Sequence, residues 1–272
     1  MYKYILNDII SNVTIMNDYM QDLHNSPNKT IKGIFDYART ICDGLPSEED
    51  IFETFKTYKH TTDKGLFGKI IEYGIFRQKP NSSSAPDLHT LGYDIKACAF
   101  KPLKTTGKNA KERQTLTNCG NTTNYDSFKD IVDNERFEDC KFYPKCKRFI
   151  LFVRNDDKKK LKSLDEMMNQ SMLVIVCFNM DNISVQMKDI ILQDYASIRQ
   201  CIIEKRVSQK GQKYLHIHPH GMGHGSGNRA LGFTSKFITL FVASKLAEIH
   251  KKNIEDILFT KGRSISIKKE YL

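Results

Sequence analysis

Asp87, Asp94 and Lys96 are the residues whose types and spacing could do chemistry in this chain. Pro86-Asp87 is followed, across a short turn, by Asp94-Ile95-Lys96. Side chains alternate along a strand, so Lys96 shares a face with Asp94. Two carboxylates bind a hard divalent cation through oxygen. A lysine beside them can orient a water and steady the charge that develops on a phosphate. Glu72, upstream on a predicted helix, adds a third acid. Together these groups are the minimum set for metal-assisted hydrolysis of a phosphodiester. The pattern alone also fits a solvated salt bridge on a surface strand, so the surrounding chain has to decide between the two.

Bulk properties favour a polyanionic partner. The chain has 272 residues, 40% hydrophobic and 27% charged, which suits a folded globular protein and argues against disorder. Its formal net charge is +10, an excess that nucleic acid would complement. The seven cysteines include no CxxC pair, and Cys140 and Cys146 fit no common zinc spacing, so reduced thiols are expected. The first residues lack the charged and apolar regions of a secretory signal. No apolar run approaches the roughly 20 residues needed to span a bilayer. A cytoplasmic protein without membrane contact is therefore expected.

The elements that must position the acids can be read from the pattern. Residues 1–60 read as a helical region, with Pro46-Ser47-Glu48-Glu49-Asp50 opening one helix on acidic residues that complement its dipole. A further helix, capped by Asp63, would carry Leu66, Phe67, Ile70, Ile71 and Gly74 on one face and Glu72 beside them. Residues 79–86 are turn chemistry, and Gly92 to Phe100 reads as the strand that holds Asp94 and Lys96. Residues 101–147 are polar and lysine-rich, and read as a strand edge followed by a long surface excursion. Arg148–Val153 and Ser171–Phe178 are continuous apolar runs typical of buried strands, separated by a solvated turn at Lys158–Lys160. Met187–Lys205 is an amphipathic helix and Lys213–His218 a strand. Gly221–Gly232 reads as a glycine-rich loop, and Phe233–His250 as a strand end leading into a helix.

The chain resembles the MutH family of mismatch-repair nicking enzymes, together with the staphylococcal-type restriction enzymes that cut GATC. Four motifs carry the resemblance in order: Lys64-Gly65-Leu66-Phe67-Gly68 with Glu72, then Asp87 with Leu91-Gly92-Tyr93-Asp94-Ile95-Lys96-Ala97, then Lys145-Cys146-Lys147-Arg148-Phe149, then Tyr214–His220 with Gly232-Phe233-Thr234-Ser235-Lys236. The resemblance implies an α/β, restriction-endonuclease-like fold of the PD-(D/E)xK type, a central mixed β-sheet flanked by helices. It divides the chain into a helical region 1–60, a nuclease domain 61–250 and an extension 251–272, forming one compact unit.

It also implies roles. Asp87 and Asp94 would hold Mg²⁺, one or two ions, helped by the backbone carbonyl of Ile95. Glu72 would sit beside that site, Lys96 would orient the attacking water, and Lys145 would be a second catalytic lysine. Lys64 would contact the DNA backbone, and Lys236 would contact DNA in the last motif. The family usually has Glu where this chain has Asp94. Its Arg-Pro-Lys becomes His218-Pro219-His220, and a neutral imidazole cannot reproduce the bidentate fork of Arg, so the target bases are left open.

His216, His218, His220 and His224 invite a zinc reading, because His216 and His218 share a strand face. Pro219 and the alternating glycines argue against it, since no second pair of ligands is supplied. A glycine-rich segment with His218, His220, Asn228 and Arg229 is better suited to approaching a phosphate backbone or a groove. The expected activity is that of a type II restriction endonuclease on double-stranded DNA, acting as a homodimer at a near-palindromic site beside a companion methyltransferase. The alternatives are a MutH-type nicking enzyme and a MutH-like DNA-binding module without catalysis.

Overall fold

The computed structural model describes residues 1–56, 65–79, 83, 85–103, 107–156, 163–207, 210–221, 226–262 and 264–272. The first elements are β1 (Tyr4–Ile5), α1 (Leu6–Ile9), α2 (Val13–His24), α3 (Ile31–Ile41), β2 (Cys42–Asp43), α4 (Glu48–Phe55), α5 (Leu66–Phe76) and β3 (Asp94–Leu103). The middle of the chain forms β4 (Gly107–Ala110), β5 (Gln114–Asn121), α6 (Lys129–Asp133), α7 (Tyr143–Lys147), β6 (Arg148–Asn155), α8 (Leu164–Met168) and β7 (Met172–Asn179). The last part forms α9 (Val185–Ile203), β8 (Leu215–Pro219), β9 (Asn228–Phe233), α10 (Ser235–His250), α11 (Ile254–Ile257), β10 (Leu258–Lys261) and β11 (Ser264–Ile267). These elements divide into two compact units. One comprises Met1–Pro102 and Phe149–Cys177 with Leu272; the other comprises Leu103–Arg148 and Phe178–Tyr271.

In the first unit, polar side chains start the helices. Asn12 accepts the first free N–H groups of α2, Thr30 does so for α3, and Ser47 and Asp50 form a reciprocal capping box on α4. α5 follows Gly65 without a side-chain cap, and Asp63 lies outside the described residues. The predicted apolar face of α5 is buried, and Gly74 lets it approach α3. A Cβ at Gly74 would lie 2.4 Å from the ring of Phe35. β3 and β6 run parallel, in register from Asp94 opposite Phe149 to Phe100 opposite Asn155, with β7 on the far side of β6. Phe149 to Val153 are all fully buried, as a continuous apolar run requires when both faces of a parallel sheet are covered. The short helix α8, missed in the sequence, covers this region with Met167 and Met168.

The second unit departs further from the sequence reading. Residues 101–147 are no surface excursion among the described positions: they form β4, β5, α6 and α7 and bury Phe128, Ile131, Phe137, Tyr143 and Cys146. Isolated aromatics anchor this stretch, so it shows neither a period of 2 nor one of 3.6. Residues 228–232 of the predicted glycine loop belong to strand β9, which pairs antiparallel with β5 on one side and β8 on the other. One face of this sheet presents Leu215, Ile217, Leu231 and Phe233, all fully buried. Phe233 packs on Phe178 and on Phe237 of α10. The C-terminal residues form the β10–β11 hairpin, which continues through Ile267 opposite Lys108 of β4. Thr239 of α10 accepts the Ala110 N–H at 3.1 Å and fixes β4 on that helix.

Candidate active site

The turn that joins Asp87 to Asp94 is closed by backbone hydrogen bonds. Leu88 N–H donates to the Tyr93 carbonyl at 2.8 Å, and Tyr93 N–H returns to Leu88 at 3.3 Å. Gly92 sits at φ +69°, a left-handed conformation that costs glycine least. This hairpin returns the chain so that the two acids meet. The Asp87 N–H donates to Asp94 Oδ1 at 3.3 Å, and the Ile95 N–H donates to Asp87 Oδ2 at 2.8 Å. Lys96 Nζ forms an ion pair with Asp94 Oδ2. The Asp94 side chain is 1% exposed and that of Lys96 12%, so the pair is shielded from bulk water.

Glu72 reaches the same neighbourhood from α5. A Cβ on Gly68 would lie 3.8 Å from Ala97 of β3 and 3.9 Å from Glu72 Oε1, so this turn of the helix lies over the strand. Burial pushes the Asp87 carboxyl up to about 7, and the negative charges of Asp94 and Glu72 push in the same direction, while the Ile95 N–H opposes them. Carboxylates crowded together at this density disfavour their own ionisation, and a cation would relieve them. Among the described residues no group of three or more His, Cys, Asp or Glu is arranged to hold a metal ion. A hard cation at Asp87 and Asp94 would therefore draw its other ligands from backbone carbonyl and water, as Mg²⁺ does. On chemistry of the donor set, the residues fit such an ion.

The structure thus brings together Asp87, Asp94, Ile95 and Lys96, with Glu72 close enough to act on Asp87. Lys145, half-buried on α7, belongs to the second unit, as do His218, His220, Asn228, Arg229 and Lys236. Lys64 and His224 lie outside the described residues. Lys236 is exposed in the first turn of α10. Cys98, next but one after Lys96, has its thiol pushed up to about 12 by burial and is no nucleophile.

The histidine strand differs from expectation. His218 is 1% exposed and its Nε2 lies 3.2 Å from the Thr115 hydroxyl, so its ring is a core group and has no open face for DNA. His220 is exposed. Burial pulls His216 down to about 4 and His218 to about 3, and the positive charge of Arg113 acts in the same sense on both. Arg113 was not singled out in the sequence, because nothing local to Lys111-Glu112-Arg113 places it near residues about a hundred positions later.

Residues 76–187, less than half of the chain, match the family described as DNA mismatch repair enzyme MutH. No curated protein matches the chain. The matched stretch holds Asp87, Asp94, Lys96 and Lys145 and stops short of the histidine strand. The fold is α/β and restriction-endonuclease-like, with parallel pairing in one unit, antiparallel pairing in the other and helices flanking both. The acid–lysine site lies inside the stretch that is similar to this family of DNA nucleases. Among the described residues no helix is long and apolar enough to cross a membrane.

Proposed function

We propose that this protein is a type II restriction endonuclease that hydrolyses phosphodiester bonds of double-stranded DNA at a short, near-palindromic site. One observation carries the reading: a half-buried and a buried carboxylate locked to each other across a turn, with Lys96 paired to the second. Asp87, Asp94 and the Ile95 carbonyl would hold Mg²⁺, which supplies positive charge to the scissile phosphate. Lys96, two residues on from Asp94 along β3, orients the attacking water and stabilises the charge that the phosphate gains. Glu72 sits beside the site, where its negative charge favours a bound cation and its carboxylate would hold a water on it. Cleaving both strands of a palindrome needs two such sites, so the enzyme acts as a homodimer, with a companion methyltransferase protecting the host's own sites.

The matched family's own description favours a second reading, a nicking enzyme that waits for an activating partner. A digest of unmethylated phage DNA with Mg²⁺, run beside Asp87→Ala, separates the two. Discrete double-strand fragments that vanish in the variant support the restriction enzyme. Uncut DNA with binding retained supports the nicking enzyme. Fragments unchanged in Asp87→Ala would overturn the assigned site.

A further inference from the structure

The free end of the Asn228 side chain is chosen by the backbone. In the β5–β9–β8 sheet, Thr115, Gly232 and His216 stand in register on one face, followed by Asn118, Ala230 and His218, and then by Asn121 opposite Asn228. A Cβ on Gly232 would lie 2.8 Å from the His218 ring, so the small residues of the central strand make room for the histidines on this face. At its end, Asn121 Oδ1 accepts the Thr123 backbone N–H at 2.9 Å and the Thr123 hydroxyl at 2.8 Å. A backbone N–H can only donate, so the atom facing it must be oxygen and the Asn121 amide has one orientation. Its Nδ2 then donates to the Asn228 side-chain oxygen at 2.9 Å. Asn228 must turn Oδ1 inward and its NH₂ outward.

The segment around Asn228 is held as firmly. Ser226 Oγ donates to the His220 carbonyl at 2.9 Å and accepts the Asn228 N–H at 3.2 Å, while the Asn228 carbonyl accepts His220 N–H at 3.0 Å. Thr122 donates to the Gly227 carbonyl through both its N–H and its hydroxyl. A side chain at Gly227 would put its Cβ 2.2 Å from Asn121 Oδ1, so the cradle requires glycine there. Arg229 spends part of its guanidinium on the Ser226 and Asn228 carbonyls, at 2.7 and 3.0 Å. Asn228 is exposed, and among the described residues its side-chain nitrogen donates to nothing. What faces solvent is a pre-oriented NH₂ group, a donor, with the carbonyl end of the amide turned toward Asn121.

We infer that Asn228 contacts DNA by donating from its outward NH₂ group, and that Asn121 is the positioning residue that sets this orientation. The inference rests on the nuclease reading above. The group it would meet is a lone-pair acceptor, either a phosphate oxygen or an acceptor on a base edge such as purine N7, guanine O6 or thymine O4.

Three full-length variants test it. Asn228→Ala removes the donor without adding charge. Asn228→Asp keeps the inward acceptor and replaces the outward donor with oxygen. Asn121→Asp keeps the acceptor for Thr123 but forces Asn228 to turn and present its carbonyl. Each is used, with Ca²⁺ in place of Mg²⁺, to select duplexes from a randomised pool, and affinity and thermal melting are measured alongside. All three are expected to bind about tenfold or more weakly with melting unchanged. A preference altered at one position of the selected motif identifies a base edge; an unchanged motif with affinity lost across the pool identifies phosphate. Wild-type affinity in Asn228→Ala overturns the contact, and wild-type affinity in Asn121→Asp overturns the positioning role. Failure of the wild type to bind any duplex overturns the nuclease reading along with both.

Discussion

Each carboxylate of the candidate site is held by a backbone N–H from the other's neighbourhood, so the two acids are positioned before any ligand arrives. Lys96 is different in kind: its contribution is to charge that exists only in the transition state. Lys96→Ala is therefore expected to lower cleavage by about 10²–10³-fold while leaving duplex affinity in Ca²⁺ within a few fold, read by single-turnover cleavage and a binding titration. Equal loss in both would remove Lys96 from the chemistry. The buried histidines make a separate prediction about acid. Their folded values, about 3 and 4, lie below the ordinary 6.5, so between pH 6.5 and about 4 the unfolded chain binds protons that the native chain does not. The stability they contribute is full above pH 6.5 and is lost as pH falls through that window. His218→Gln should flatten the dependence of melting temperature on pH there; an unchanged slope would show that His218 titrates alike in both states.

At the scale of elements, β8 depends on a residue that the sequence presents only as one position of an amphipathic helix. Asp194 of α9 is buried, and its carboxylate accepts the N–H groups of Lys213, Tyr214 and Leu215 at 2.8, 2.6 and 2.9 Å. Burial raises its carboxyl and the three donors oppose that shift. Asp194→Ala leaves three backbone donors without their acceptor and should cost about 2–4 kcal/mol in urea unfolding. A loss under 0.5 kcal/mol would mean that water replaces the carboxylate. The contrast with the active-site turn explains what was legible. Asp87, Gly92, Asp94 and Lys96 meet through a local turn, and apolar runs such as Phe149–Val153 announce buried strands. The Asp194 contact to β8 and the pairing of β9 with β5 join distant segments, and glycine-rich composition concealed β9. The sequence also marked His218 for DNA, when the strand buries its ring.

For the whole molecule, the net charge of +10 makes binding a matter of counterions. If Lys and Arg side chains neutralise several phosphates, log affinity for a duplex should fall linearly with log salt, with a slope of about −0.9 per phosphate contacted. A flat response in a titration from low to moderate salt would undermine the nucleic-acid reading. The two compact units add a constraint of another kind. The backbone leaves the first unit after Pro102, returns to it at Phe149 and leaves again after Cys177. Neither unit is a continuous stretch, so no single excision from the gene yields either one whole. Exchanging the second unit alone between relatives, the terminal Leu272 aside, takes crossovers at three junctions, after Pro102, Arg148 and Cys177. A single crossover leaves at least one of the two units a hybrid of its parents, so the units are not exchanged as simple end-to-end modules.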